Sequence, residues 1–257
     1  MTAECEQVGD GTYFVRTPLV NWAILVDGSD VVLVDTGYPG QLPLVLDSIR
    51  ALGKNPRNLA AVLITHAHID HLGNAQHLAD TYGTPILMAT AELAHARRES
   101  HHALTPAGLA MNLWRPRVAR WTAAALRVGV HHTHGVDQPQ PFPTPGALDL
   151  PGHPVPVLTP GHTPGHCVYH LPQRGVVISG DALVTGHMAT RHRGPQLLPA
   201  MFDDNRDTTI AALTQIGELP GELLLPGHGP LHRGPLAEAA ERARTLARPH
   251  SHCGAHR

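Results

Sequence analysis

Leu59-Ala60-Ala61-Val62-Leu63-Ile64-Thr65-His66-Ala67-His68-Ile69-Asp70-His71 is the stretch whose reading decides the fold. Its first seven residues are aliphatic and partly β-branched, which predicts a buried strand. Its last six hold four metal-ligand types. A loop leaving a rigid strand can aim several imidazoles at one point. His66 and His68 lie two apart, so in an extended segment they point the same way. Asp70 and His71 follow once the chain has begun to turn and face a second point close by. In a chain with 21 histidines a single one means little. Four ligands at this spacing predict a metal site rather than a polar loop. One metal on the first pair and another on the second is the geometric reading.

Composition sets the outer bounds. A chain of 257 residues with 42% hydrophobic content can bury a sizeable core. It is read as one unit over 1–257. The formal charge of −2 implies no strong electrostatic field, so no nucleic-acid partner is expected. Cys5, Cys167 and Cys253 are too few and too scattered for a disulfide framework. No apolar run approaches the length of a bilayer crossing, so no membrane partner is expected. The opening Met1-Thr2-Ala3-Glu4-Cys5-Glu6 is acidic and lacks an apolar core, which points to the cytoplasm.

Around the central strand the pattern alternates. Tyr13–Arg16, Trp22–Val26 and Val31–Val34 read as strands, with Asp27-Gly28-Ser29-Asp30 a hairpin turn. Leu42–Leu52 has helical spacing stopped by Gly53, and a helix ending at Gly83 follows the ligand loop. Residues 90–134 read as a helical insertion, either a cap near a site mouth or a plain packing layer, carrying Trp114 and Trp121, with Thr105-Pro106 a break and restart. Gly135–Pro154 is proline-rich and extended. Val155–Leu158, Cys167–Leu171, Val176–Ser179 and Leu223–Leu225 read as strands. Thr208–Ile216, with Asp207 as N-cap, and Pro235–Ala247 read as helices. Two β-rich halves with interleaved helices predict two packed sheets with helices outside.

Three further segments place a ligand beside glycine after an apolar strand. They are Thr159-Pro160-Gly161-His162-Thr163-Pro164-Gly165-His166, Gly180-Asp181 and Pro226-Gly227-His228-Gly229-Pro230. Glycine permits close backbone approach and unusual dihedrals. Imidazole and carboxylate without thiolate suit zinc, and also manganese, iron or cobalt. Cys167, on a strand beside His166, reads as a packing residue. His101-His102, His131-His132-Thr133-His134 and the tail His250, His252, Cys253 and His256 read as solvated. From chain position, Gly186-His187-Met188 and Met201-Phe202 are candidate pocket residues.

With these motifs assembled, the chain resembles the metallo-β-lactamase-fold hydrolase superfamily, most closely its glyoxalase II and lactonase-like branches. The likeness runs from Tyr13 to the last helix. It implies an α/β fold, a four-layer αβ/βα sandwich with the site at the sheet edges. It also implies two zinc ions: His66, His68 and His162 on one, Asp70, His71 and His228 on the second, and Asp181 bridging. Asp35 matches a carboxylate that orients a ligand histidine, and His166 a histidine outside the ligand set. The activity implied is attack by a bridging hydroxide on the carbonyl of a small ester, lactone or thioester, with Asp70 also moving the proton. The alternatives are a mononuclear iron sulfur dioxygenase of the same fold and a non-catalytic metal-binding member.

Departures narrow the implied substrate. True β-lactamases of this fold lack the bridging Asp, so Asp181 counts against that activity. The glutathione-binding helical region of glyoxalase II has no counterpart after His228, although Arg191 and Arg193 lie in a loop comparable to one carrying its basic residues. Val184 stands where acyl-homoserine-lactone lactonases have tyrosine. The expected partner is a small-molecule substrate, with oligomeric state left open.

Overall fold

In the strand Asp30–Val34, Val31 and Leu33 join one buried apolar cluster while Val32 and Val34 join another. Successive side chains on a strand face opposite ways, so this strand is covered on both faces. The computed structural model describes residues 2–102, 104–132, 134–143 and 145–247. Among them, β1 (Glu4–Gly9), β2 (Thr12–Arg16), β3 (Trp22–Asp27), β4 (Asp30–Val34), β5 (Leu59–Leu63), β6 (Ile86–Met88) and β7 (Gln140–Pro141) form one sheet in sequential order. The second sheet has the order β12-β11-β10-β9-β8, from β8 (Val155–Leu158), β9 (Cys167–Leu171), β10 (Val176–Gly180), β11 (Leu223–Pro226) and β12 (His232–Arg233).

The sheets meet face to face. Leu25, Val32, Val34 and Leu63 of the first pack with Tyr169, Leu171, Ile178 and Leu225 of the second. Helices cover the outer faces. On the first sheet, α1 (Leu42–Ala51) contributes Val45 and Ile49, α2 (Ile69–Leu72) contributes Leu72, and α3 (Ala75–Tyr82) contributes Leu78. Short helices α4 (Leu93–Ala96) and α5 (Pro106–Ala110) and the longer α6 (Pro116–Arg127) follow. On the second sheet, α7 (Arg206–Glu218) buries Leu213 and Ile216, and α8 (Leu236–Ala247) buries Leu236 and Ala240. Each such Leu, Ile or Val contributes roughly 1.5–3 kcal/mol on burial. The order helix, sheet, sheet, helix is the four-layer sandwich that the sequence predicts.

Parallel pairing gathers the ligand loops. β4 and β5 run parallel, as do β10 and β11, so each pair ends at one edge. Asp35 and His66 leave the first pair there, Asp181 and His228 the second. β8 and β9 are antiparallel, and the loop between them carries His162 to the same edge. The Cys167 amide donates to Thr65 O at 3.0 Å, and the Asn21 amide to Gly227 O at 2.8 Å, joining the two sheets beside the ligands.

Some details differ from the sequence reading. β1, β7 and β12 carry no clear strand signal; β7 and β12 are two residues each, and the residues of all three strands are half-buried or exposed. Asn205, not Asp207, caps α7: its side chain accepts from the Thr208 amide at 3.0 Å, and Asp207 lies inside the first turn. The tail residues His250, His252, Cys253 and His256, with Met1 and Thr133, lie outside the described residues. Within the described residues no helix is long and apolar enough to cross a membrane.

Candidate metal centre

Thr65 ends the central strand run at full burial, and His66 follows it. His66 Nε2 and His162 Nε2 each lie 3.0 Å from His68 Nδ1. Around a tetrahedral zinc, nitrogens at ~2.0–2.1 Å stand roughly 3.3 Å apart. As the spacing predicts, the chain turns after His68. It enters the one-turn helix α2, which carries Asp70 and His71 toward His228. The ligating atoms of Asp70, His71 and His228 lie within 4.8 Å of one another, as do those of His66, His68 and His162. Asp181 stands between the groups. One oxygen lies 3.4 Å from His71 Nε2; the other lies 3.2 Å from His228 Nε2, 3.5 Å from His162 Nε2 and 3.9 Å from His66 Nε2. The structure thus brings all seven predicted ligands together.

The outer nitrogen of each ring fixes the tautomer. His71 Nδ1 donates to Asp35 Oδ2 at 2.7 Å, and His228 Nδ1 to Leu19 O at 2.6 Å. His162 Nδ1 donates to Asp203 Oδ1 at 3.2 Å, and His68 Nε2 to His102 O at 2.5 Å. Thr65 Oγ1 donates to Asp35 Oδ2 at 2.8 Å, so it accepts from His66 Nδ1 at 3.1 Å. In its neutral form every ring therefore presents a lone pair inward, the arrangement that metal ligation requires. Asp35 also accepts from the Thr65 amide at 2.8 Å, and it does so from a left-handed backbone with φ 63°. Such strain in a non-glycine residue persists where the surroundings enforce it.

The electrostatics ask for positive charge. Burial pushes the His66 and His68 imidazoles down, and neighbouring imidazoles add to it; His68 falls to about 3. Burial also opposes charge on His228, but Asp181 and Asp70 outweigh it and push the ring up to about 10. His71 likewise rises against burial, under Asp181, Asp35 and Asp70. Asp70 and Asp181 are held well below the usual carboxylate range by His71 and His228, against their own burial. Among the described residues no arginine or lysine pairs with Asp35, Asp70 or Asp181. Buried carboxylates need a counter-charge. Two buried atoms lack any hydrogen-bond partner here, His71 Nε2 and Asp181 Oδ1. The two atoms lie 3.4 Å apart. The donor set fits divalent cations, its ligand atoms falling into a three-histidine group and a group of Asp70, His71 and His228.

Several contributors lie outside the motifs. Glu92, fully buried, accepts from the Ala67 amide and the Gly165 amide, both at 2.8 Å, and from Thr163 Oγ1 at 2.5 Å. Asn21 holds Pro226 O and Gly229 O at 2.9 and 2.8 Å. Asp203 ties His162 to Arg206, which lies 2.6 Å away. His102, expected to be solvated, supplies the carbonyl for His68 and pairs through its ring with Asp204 at 3.0 Å. His166 stands outside the ligand groups. It accepts from the Asp181 amide at 3.1 Å and donates to Thr159 Oγ1 at 2.9 Å. Cys167 is buried in the inter-sheet core, and burial pushes its thiol up.

A cavity of about 290 Å³ opens over the cluster. His68, Asp70, His162, Asp181 and His228 form its floor; Tyr38, Ile69, Leu109, Trp121, Leu198 and Phe202 are among its apolar walls. His187 and Phe202, picked out by chain position, both line it; Met188 lines a neighbouring cavity instead. Trp121 of α6 packs on Phe202 with ring centroids 5.1 Å apart, which places α6 at the mouth.

Comparison with known proteins agrees with this architecture. "Probable metallo-hydrolase YflN" of Bacillus subtilis strain 168 is 24% identical over 229 residues, spanning 84% of this chain and 79% of that one. Among solved structures, the metallo-beta-lactamase family protein TTHA1429 from Thermus thermophilus superposes with TM-score 0.66 at 21% identity, covering 93% of this chain and 80% of that one. A B3 metallo-beta-lactamase with an active-site glutamic acid superposes with TM-score 0.65 at 21% identity, covering 94% and 88%. These likenesses show the fold. The family model described as the metallo-beta-lactamase superfamily matches residues 16–228, from the second strand through the last ligand histidine, and the chain belongs to that superfamily.

Proposed function

We propose that the protein is a dinuclear metal-dependent hydrolase, most simply a zinc enzyme, acting on a small ester, lactone or thioester. The observation that carries this reading is the convergence of seven ligand side chains with their lone pairs turned inward. The printed name of the Bacillus relative, a probable metallo-hydrolase, supports it. When bound, a pair of divalent cations supplies Lewis acidity and a water acidified to near neutrality.

The residues do the rest. Asp70 lines the cavity floor and keeps a partly exposed carboxylate, with 14% of its side chain accessible. It takes the proton from the attacking water and returns it to the leaving oxygen or sulfur. Tyr38 lines the same cavity as Asp70. Trp121, Phe202 and Leu109 hold the apolar part of the substrate and exclude water from the reacting bond. A cytoplasmic location accompanies the reading, supported by the unpaired thiols of Cys5 and Cys167.

The test is metal analysis with a substrate panel. Purified protein should carry about two metals per chain. Chelation should abolish turnover of esters, lactones or thioesters, and Asp181→Ala should lose metal and most activity. A single iron with oxygen uptake on a persulfide would overturn the reading in favour of a dioxygenase. Inactivity of fully loaded protein on lactones, thioesters, phosphodiesters and β-lactams would overturn it in favour of a binding role.

A further inference from the structure

Beside the cavity over the metal centre lies a second, of about 310 Å³, with a different lining. Arg16, Arg117, Arg120 and Arg193 surround it, and no carboxylate does. The two cavities share His187 and His228 as walls. We propose that this second cavity is an oxyanion subsite, taking a carboxylate or phosphoryl group at the non-reacting end of the substrate. The proposal rests on the hydrolase reading above for its substrate.

Pairing supports it first. Arg16 is matched by Glu4, but Arg117, Arg120 and Arg193 have no carboxylate partner among the described residues. Helix placement supports it next. Arg117 and Arg120 are three apart, so they share a face of α6. They sit near its N-terminus, where no acidic residue occupies the first turn. Cations there oppose the helix dipole, while an anion bound there complements it. The same helix turns Trp121 into the apolar cavity, so one element shapes both compartments.

Arg193 approaches from the other side. A Cβ at Gly186 would stand 3.2 Å from Arg193 Nη1 and 3.7 Å from Gly229 Cα, so the guanidinium lies against the backbone beside His228. The basic lining continues outward. An adjoining cavity of about 640 Å³ shares Arg117, adds Arg115 and Arg191, and again has no carboxylate in its lining. A chain of net charge −2 has therefore gathered unpaired guanidinium groups at one mouth. Planar guanidinium donors match the oxygens of carboxylate and phosphate, and several together set orientation as well as affinity.

Two measurements decide it. In the first, metal-loaded protein is titrated calorimetrically with inorganic phosphate and with acetate. The Arg117→Ala/Arg120→Ala double variant, checked for equal metal content, should bind the preferred anion about tenfold more weakly than wild type. Equal binding in the two proteins, or none in wild type, overturns the subsite. In the second, thioesters with one acyl group and a neutral, carboxylate or phosphate tail are compared by kcat/KM. Wild type should favour a charged tail, and the double variant and Arg193→Ala should each shrink that preference severalfold, while Arg50→Ala, on the remote helix α1, should leave the ratio as it is. An unchanged ratio overturns the proposal. The better of the two charged tails separates carboxylate from phosphate. Were no thioester cleaved at all, the hydrolase reading would fall and the titration would still judge the subsite.

Discussion

Glu92 Oε1 accepts a hydrogen bond from Thr163 Oγ1 at 2.5 Å, and the other oxygen of the same carboxylate accepts from the Ala67 amide at 2.8 Å. One buried side chain therefore clips the loop of His66 and His68 to the loop of His162. Glu92→Ala leaves the amides of Ala67 and Gly165 and the Thr163 hydroxyl buried without a partner. At about 1–3 kcal/mol for each buried group left unpaired, the variant should lose roughly 3 kcal/mol or more. Urea unfolding measures that loss. Metal titration should show weakened binding at the His66, His68 and His162 group, and Glu92→Gln should recover part of it.

The same carboxylate makes stability depend on acid. Burial pushes Glu92 up, but hydrogen bonds from His95, Thr163 and the Ala67 amide outweigh it and hold the group at about 2, below the ordinary 4.5. A depressed folded-state value means the stabilisation is complete above about pH 4.5 and is lost as pH falls toward 2. Its size is a few kcal/mol, at ~1.36 kcal/mol per pKa unit. Chemical unfolding of wild type and Glu92→Gln between pH 2 and 6 should give curves that converge at the acid end, diverge as pH rises to 4.5 and keep a constant gap above it. Parallel curves would show that Glu92 is not the group responsible.

Much of the centre is legible in the chain because its ligands are local to strand ends. His66, His68, Asp70 and His71 announce themselves within six residues, and glycine marks His162, Asp181 and His228. The two-sheet core is legible too, since Val31–Val34 of β4, all of β5 and Val176–Ile178 of β10 are continuously apolar and must be covered twice. What the chain hides is the support. Glu92 meets Ala67, Thr163 and Gly165 25 to 73 positions away, and Asn21 reaches 208 positions to Gly229. No spacing rule links such pairs, and a carboxylate beside an alanine-rich helix looks solvated until the fold buries it. The turn after His68 is legible, but its helical form is not: four residues are too few to show a helical period.

Asp35 offers a direct test of ring orientation. Its carboxylate accepts from the Thr65 amide, Thr65 Oγ1 and His71 Nδ1 at once. Asparagine fits the left-handed backbone. Yet it presents one accepting atom where the site supplies donors to both oxygens. Asp35→Asn should therefore fold, turn one donor at His71 or Thr65 against another, and bind metal about 10–100-fold more weakly. Competition with a chromophoric chelator measures the affinity. An unchanged affinity would mean that the inward lone pair of His71 does not depend on Asp35.

Gly227 isolates packing from chemistry. A Cβ there would stand 2.4 Å from Asp181 Oδ1 and 2.8 Å from His71 Cε1. The residue is not among the glycines with left-handed φ, so alanine brings no backbone strain of its own. Relief requires the Asp181 carboxylate and the ring of His71 to move apart. Gly227 N is tied to Gly180 O at 2.8 Å and Gly227 O to the Asn21 amide at 2.8 Å, so the backbone cannot retreat easily. Gly227→Ala should keep the far-ultraviolet circular dichroism of the wild type while metal content falls from about two toward one per chain. The cation lost should be the one on Asp70, His71 and His228, because the added methyl meets His71 and the Asp181 oxygen facing it, whereas His66, His68 and His162 stay clear. Full occupancy of both positions would mean that Asp181 Oδ1 has freedom to swing, and that the pairing with His71 Nε2 does not set the second group.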